Sequence, residues 1–352
     1  MPESPPPRAR PRDRWRDALS RVGIFDPDNW TGARLAAALA AGGERLAALS
    51  AYRELAADTP DDPALLEAFA TLLARLGRDE EERAVRTKRA RLTVDGMGLT
   101  LGEQAPALAF ELALAGAGPV PSGMPGGYVA ALFDSFAPDF DAMLRGALHY
   151  RAPELVFAAL SAALERHEGL RTERLDICDV GCGTGLLGPL LRPLARRLEG
   201  VDLSEKMLEK ARVRGCYDEL FAAELHLALA VRADRYDVVS AADVFNYLGE
   251  LAPALSAAAG ALRPGGLVVF TVEHSDEPGY RLGDTGRYRH AAAFVREAAA
   301  TAGLSELSVG EGVLRSEQAH PVMGLIWVFR RGGQSPPAPG VGPTDSGADS
   351  PE

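Results

Sequence analysis

Two aspartates and a stretch of bare backbone define the chemistry open to this sequence. In LDICDVGCGTGLLGPLL (175–191) a short apolar strand over Leu175–Val180 runs into Gly181, Gly183 and Gly185, and a helical stretch follows. Glycine admits positive φ and lets a ligand approach the backbone, and the N–H groups that open the next helix point at that ligand. A second strand, LEGVD, ends in Asp202, where a carboxylate is placed to accept both hydroxyls of a ribose. Gly183, Gly185 and Gly188 also spell G-x-G-x-x-G, which suits the pyrophosphate of a nicotinamide or flavin dinucleotide. Asp179, two residues before the first glycine, argues the other way, since its charge repels a pyrophosphate and pairs with an α-ammonium. S-adenosylmethionine has an ammonium and a ribose and no phosphate, so the loop favours it over a dinucleotide.

The stretch after Asp202, DLSEKMLEKAR, starts a helix that brings Leu203, Met207 and Leu208 towards an adenine pocket. A third strand-like piece, DELFAAEL, puts Glu224 where a carboxylate could accept from the adenine amino group. RYDVVSAADVFNYL supplies a fourth strand whose end, Ala242 and Asp243, faces the ligand, and ALRPGGLVVFTVE supplies a helix, a turn and a fifth strand. The series D-x-G-C-G-T-G, D-x-S-x-x-M-L and L-R-P-G-G resembles the class I S-adenosylmethionine-dependent methyltransferases over about 126–332. The resemblance implies a Rossmann-like α/β fold with a seven-stranded, mostly parallel sheet whose last strand is antiparallel; PVMGLIWVFRR (321–331) fits that strand. It also implies that Asp179, Gly181, Gly183 and Gly185 hold the methionine end, Asp202 the ribose and Glu224 the adenine.

Ahead of the first strand lies YVAALFDSFAPDFDAMLRGALHYR (128–151). Its aromatics, Tyr128, Phe133, Phe136, Phe140 and Tyr150, read either as a core stripe or as a lid, because aromatic faces attract a sulfonium when water is excluded. Phe140, Asp141, Tyr150 and Arg151 are therefore candidates to reach the methionine end. Methyl transfer requires the acceptor to be positioned, and it requires a base only if the attacking atom must lose a proton. Candidates follow the fifth strand: Glu273, His274, Arg287, Tyr288 and His290, of which His274, Tyr288 and His290 are the catalytic expectation. The fourth-strand end, Asp243-Val-Phe-Asn246-Tyr247, lacks the Asn-Pro-Pro-aromatic signature associated with planar amino acceptors, which leaves a small molecule or a protein side chain. The remaining histidines are scattered singly, so no metal is expected.

The elements that must position these groups start near residue 128. Before them, 28–115 is Ala/Leu-rich with helical spacing, and Gly43 and Gly77 each close an apolar helical stretch. Ala48, Tyr52 and Pro60 match the tetratricopeptide repeat, while Glu82 in the second copy stands where a small residue belongs. Together with L-F-D-x-F-A-x-x-F-D and Y-R-A-P, these helices resemble a bacterial group of predicted methyltransferases carrying N-terminal repeats. Such helices could hold a protein partner, or simply pack. A Pro/Gly stretch, 116–127, is the expected linker to a catalytic domain over 128–332, and 1–27 and 333–352 read as solvated tails.

Composition narrows the function classes. The 352 residues carry a formal charge of −11, which disfavours a nucleic-acid partner. Cys178, Cys182 and Cys216 are too few for a disulfide framework and read as buried thiols. The N-terminus lacks the apolar core of a signal peptide and no run is long enough to span a membrane, so a cytoplasmic protein is expected. The leading reading is a S-adenosylmethionine-dependent methyltransferase. A NAD-type oxidoreductase and a non-catalytic partner-binding protein on the same scaffold are the alternatives.

Overall fold

The computed structural model describes residues 15–24, 31–138, 140–141, 144, 149–166, 174–317 and 320–332, so the expected C-terminal tail lies outside the described residues, whereas 15–24 of the expected N-terminal tail are folded, with Trp15 and Leu19 buried in the helical core because they are apolar groups that a solvated tail would leave in water. Contacts divide the chain into two compact units, one running to Ser135 and taking in Leu282–Arg287, the other comprising Phe136–Arg281 and the chain from Tyr288 onward.

The first unit is helical: α1 (Arg16–Arg21), α2 (Gly32–Ala41), α3 (Arg45–Asp58), α4 (Pro63–Arg75), α5 (Asp79–Gly96), α6 (Leu101–Leu114) and α7 (Gly126–Phe136). Asp62 caps α4, its Oδ1 accepting from the N–H groups of Ala64 and Leu65, and Pro63 takes the first helical position, where no N–H is needed. Gly43 and Gly77 adopt φ of +84° and +66° at the ends of α2 and α4, the left-handed turn that reverses the chain between paired helices. Ala48 and Tyr52 are buried between them, and Tyr52 stacks on Phe69 at 5.9 Å. Tyr128, which the sequence places at the head of the catalytic domain, belongs to this helical core. Its ring packs on Phe110 at 5.3 Å and its hydroxyl donates to buried Glu111 at 2.5 Å, so the contact boundary falls after Ser135.

The second unit is built on a sheet of nine strands among the described residues: β1 (Leu175–Val180), β2 (Ala195–Asp202), β3 (Glu219–Ala222), β4 (Tyr236–Ala241), β5 (Leu262–His274), β6 (Tyr280–Leu282), β7 (Tyr288–His290), β8 (Leu304–Glu317) and β9 (His320–Arg331). β3, β2, β1, β4 and β5 are parallel neighbours in that order, β9 runs antiparallel to β5, and β8 pairs with β9. Seven strands were expected. The other two, β6 and β7, are three residues each, and β7 pairs with the last residues of β5 through Glu273↔Arg289 and His274↔His290.

Alternation along the strands explains the two covered faces. Ile177, Val238, Val269 and Val328 point to one side, against Val156 and Leu160 of α8 (Ala152–Arg166) and Leu191 of α9 (Gly188–Leu191). Their neighbours Cys178, Val239, Phe270 and Trp327 point to the other, against Leu255 of α12 (Ala252–Ala261) and Val295 of α13 (Ala292–Thr301). Between these in the chain come α10 (Glu205–Arg214) and α11 (Leu225–Ala230). The carboxyl ends of β1, β2 and β4 lie side by side, which brings together the glycine loop, Asp202 and Asp243.

Candidate active site

Gly181, Gly183 and Gly185 have φ of +62°, +54° and +83°, conformations in which an L side chain is strained, so the bend after β1 can be made only of glycine at low cost. A Cβ at Gly181 would lie 2.4 Å from Val244, and one at Gly185 2.9 Å from the Tyr217 ring. Tyr217 also occupies the side-chain space of Gly188, the last glycine of the dinucleotide-like pattern. That residue is glycine to admit a phenol ring, a reason independent of any pyrophosphate.

Asp179 is buried beside this bend, with 1% exposure. Its Oδ2 accepts from the Tyr217 hydroxyl at 2.7 Å and its Oδ1 from Ser240 Oγ at 2.9 Å. It forms no ion pair among the described residues. Burial pushes its carboxyl up to about 6, against the two hydroxyl donors that favour the ionised form, and the nearby Asp202 charge adds to the rise. Asp202 accepts from the N–H of Gly183 on Oδ2 and of Ser204 on Oδ1, both at 2.8 Å, which fixes its carboxylate against the glycine loop. Ser204 in turn caps α10 by accepting from the Met207 N–H, and Met207 is fully buried while Leu203 is half-buried.

The expected adenine contact is otherwise engaged. Glu224 is the N-cap of α11, accepting from the N–H groups of His226 and Leu227, and its second oxygen meets His226 Nδ1. These contacts hold its carboxyl below the usual range against a partial burial that would raise it. Asp243 sits at the mouth of β4 with φ of +60°, its N–H bonded to Thr271 Oγ1 at 2.8 Å. Its carboxylate accepts from Arg315 Nη1 at 2.8 Å and from Asn246 at 3.0 Å. Arg315, from β8, is 1% exposed and also pairs with Glu273 and Glu317. The sequence gives no warning of it: a lone arginine in LSELSVGEGVLRSE carries no motif.

Of the segment before the sheet, Phe140, Asp141 and Tyr150 lie in the second unit. Asp141 accepts from Thr184 Oγ1 at 2.6 Å and pairs with Arg214, so this stretch is fastened directly to the glycine loop. The Lys210 ammonium holds the same stretch at the Pro138 carbonyl, 2.9 Å away. Phe140 is half-buried there. Tyr150 reaches the end of β4, its hydroxyl 3.4 Å from the Ala242 carbonyl. The Arg151 side chain is exposed; what it contributes is its backbone N–H, donated to Leu314.

The catalytic expectation needs correction for two of its three residues. Tyr288 and His290 are fully buried, in β7, within an aromatic cluster in which Tyr280 meets Tyr288 edge-on at 5.8 Å and Phe294 stacks on His290 at 6.0 Å. His290 Nε2 faces the Gly249 carbonyl at 3.1 Å and so donates, which leaves Nδ1 deprotonated and without a partner. Burial pushes this imidazole down to about 4. A group with no exposed atom cannot take a proton from a substrate, and the signal that suggested it, a polar-aromatic run, reflects a short buried strand. His274, half-buried at the end of β5, keeps an accessible surface. Cys178 and Cys182 are buried as expected, whereas Cys216 is only partly so.

Comparison with known proteins bears on the same region. Residues 178–270 match the methyltransferase domain. The matched stretch begins in β1 and ends in β5, so it contains the glycine loop, Asp202 and Asp243. Over 116 residues the chain is 32% identical to the ubiquinone biosynthesis O-methyltransferase of Hydrogenovibrio crunogenus, covering 31% of this chain and 47% of that protein. Over 117 residues it is 31% identical to the Thiobacillus denitrificans protein of the same name, covering 31% and 49%. The chain therefore spans about half the length of the curated relatives it matches. Among solved structures, 1,6-didemethyltoxoflavin-N1-methyltransferase of Burkholderia thailandensis, holding 1,6-didemethyltoxoflavin and S-adenosylhomocysteine, aligns with a TM-score of 0.47 at 18% identity, over 61% of this chain and 93% of that one.

Proposed function

We propose that the second unit is a S-adenosylmethionine-dependent methyltransferase acting on a small molecule or a protein side chain. One observation carries the reading: Asp179 is a buried carboxylate beside a bend of positive-φ glycines, held by two hydroxyls and, among the described residues, by no guanidinium or ammonium. A buried anion without a cation is costly, and a ligand's α-ammonium relieves that cost where a pyrophosphate adds to it. The methyltransferase-domain match over the same loop supports this choice. The runner-up, a NAD-type oxidoreductase, loses its main support once Gly188 is explained by the Tyr217 ring.

When bound, the cofactor supplies a methyl group already activated for displacement. In this reading the chain's own residues position and exclude. Gly181, Gly183 and Gly185 let the methionine end lie on the backbone, Asp179 takes its ammonium, Asp202 turns from its loop N–H contacts to the ribose, and Leu203 and Met207 line the adenine. Tyr150 and the Asp141–Thr184 contact close over the loop and keep water out. The names of the curated relatives point to an oxygen acceptor; a hydroxyl must lose its proton, and His274 is the member of the expected set with an accessible ring. The helix pairs of the first unit, turned at Gly43 and Gly77 and packed on Ala48 and Tyr52, support a tetratricopeptide-like reading in which they hold a protein partner.

Calorimetric titration of the full chain with S-adenosylhomocysteine and, separately, with NAD tests the proposal. Saturable binding of the first and none of the second is expected. NAD binding without S-adenosylhomocysteine binding overturns it.

A further inference from the structure

The Tyr217–Asp179 contact has no place in the glycine-loop pattern, yet three glycines around it, Gly185 in the loop, Gly188 after it and Gly200 on β2, make room for the Tyr217 ring. Tyr217 follows the left-handed cap of α10 at Gly215, where φ is +66°. Its ring stands where a Cβ of Gly185, Gly188 or Gly200 would be, with ideal Cβ positions 2.9 Å, 2.9 Å and 3.1 Å from ring carbons. Gly200 is the register partner of Asp179 on β2, so a ring lying over Gly200 delivers its hydroxyl to Asp179 Oδ2. Ser240, the register partner of Asp179 on β4, delivers a second hydroxyl to Oδ1. One carboxylate oxygen is thus bound from each flanking strand's side, and the carboxylate plane is fixed.

We propose that Tyr217 is a positioning residue for cofactor capture: its ring sets the shape of the glycine loop, and its hydroxyl holds the Asp179 carboxylate in the orientation and charge state that an α-ammonium requires. The inference rests on the reading that Asp179 takes the ammonium of the cofactor. Burial pushes the Tyr217 phenol well above its ordinary range, so it remains a donor at every working pH. The groups that face Asp179 are Tyr217 from the segment after α10, Ser240 from β4, Asp202 from β2, Cys178 beside it, Cys182 in the loop and Tyr150 ahead of α8. Burial has already brought the Asp179 carboxyl to about 6. Losing a hydroxyl that bonds the ionised form moves it further up, so less of the protein is ready for an ammonium at mildly acidic pH.

The test is calorimetric titration with S-adenosylhomocysteine at pH 6 and pH 8, on the full chain and on Y217F, D179N and G188A, each checked for cooperative thermal unfolding. Y217F keeps the ring and removes only the hydroxyl. A rise of about one unit in Asp179 predicts roughly a fivefold loss of affinity at pH 6 and less than about twofold at pH 8. G188A leaves Tyr217 in place but sets a methyl against its ring, and it is expected to show the same low-pH loss. An equal loss at both pH values in Y217F and G188A, which packing alone would give, overturns the proposal; so does an unchanged affinity of Y217F at pH 6. D179N separates the two levels: strong loss at both pH values supports the ammonium reading whatever Y217F does, and wild-type affinity in D179N overturns that reading and this proposal with it.

Discussion

Strand β1 carries two buried aspartates three positions apart, and the chain treats them in opposite ways. Asp176, near the amino end of the sheet, is 4% exposed and meets the guanidinium groups of Arg196 and Arg263. Its neighbours there follow suit: Glu199 pairs with Arg197 and Arg235, and Asp237 with Arg263 at 2.9 Å. Asp179, near the carboxyl end, is 1% exposed and has two hydroxyl partners and, among the described residues, no arginine. Both ends of the sheet bury negative charge, but the amino-end carboxylates named here are neutralised from within and Asp179 is not. Asp176 has its cations in place within the fold, and under the proposed function Asp179 takes its cation from the ligand. The carboxyl end shows both kinds, because Asp243 has its own internal cation in Arg315.

The largest effect that could break this contrast comes from removing internal cations at each end. R315M leaves buried Asp243 without its cation and Glu273 with only the half-exposed Arg289, and is expected to cost about 3–5 kcal/mol, seen as a pronounced fall in the thermal unfolding midpoint. R196M at the amino end removes a side chain that is 65% exposed, and Asp176 keeps Arg263, so about 1 kcal/mol or less is expected. Equal costs would mean that burial of the guanidinium does not set what each internal cation contributes.

D179N comes next, with opposite signs for binding and stability. Loss of the buried partner should weaken S-adenosylhomocysteine binding by about 3 kcal/mol, roughly a hundredfold. The folded carboxyl lies above its unfolded value, so its contribution to stability is complete below about pH 4 and is lost as pH rises through about 6. At pH 7.5 the ligand-free variant is therefore expected to be more stable than the parent, by up to about 3 kcal/mol, as read by thermal unfolding. A less stable D179N would place Asp179 with the structural carboxylates.

The smallest expected catalytic effect is at His290. Its folded value lies below the unfolded one, so its contribution is present above about pH 6.5 and is lost as pH falls towards 4. H290F should flatten the acid limb of the stability profile and leave the shape of the pH–rate profile unchanged, whereas H274A should lower kcat. A displaced pH–rate profile in H290F would return that residue to the reaction.

The parts of the candidate site that lie along one strand and its loop are legible in the sequence. Asp179, the three glycines and Asp202 occupy fixed offsets from strand ends, and strand ends show as breaks in apolar runs. What could not be read depends on closure in space. Tyr217 meets Gly188 only after α10 has returned the chain to the sheet, and Arg315 reaches Asp243 from β8, across the two intervening strands β5 and β9. Tyr288 and His290 were misassigned because β6 and β7, at three residues each, are too short to show a period of two. Glu224 fits two roles at the sequence level, since an acidic group at the end of a strand also stands at the start of the next helix, and there the free N–H groups of α11 claim it.

If Asp179 meets the α-ammonium of the cofactor, as proposed, a pair of ligands isolates that contact. Affinities of S-adenosylhomocysteine and of its analogue lacking the α-amino group are to be compared on the full chain and on D179N at pH 7.5. The full chain is expected to lose affinity for the deaminated analogue by at least about tenfold, and D179N to distinguish scarcely between the two ligands. The same loss in both proteins would contradict the proposed contact.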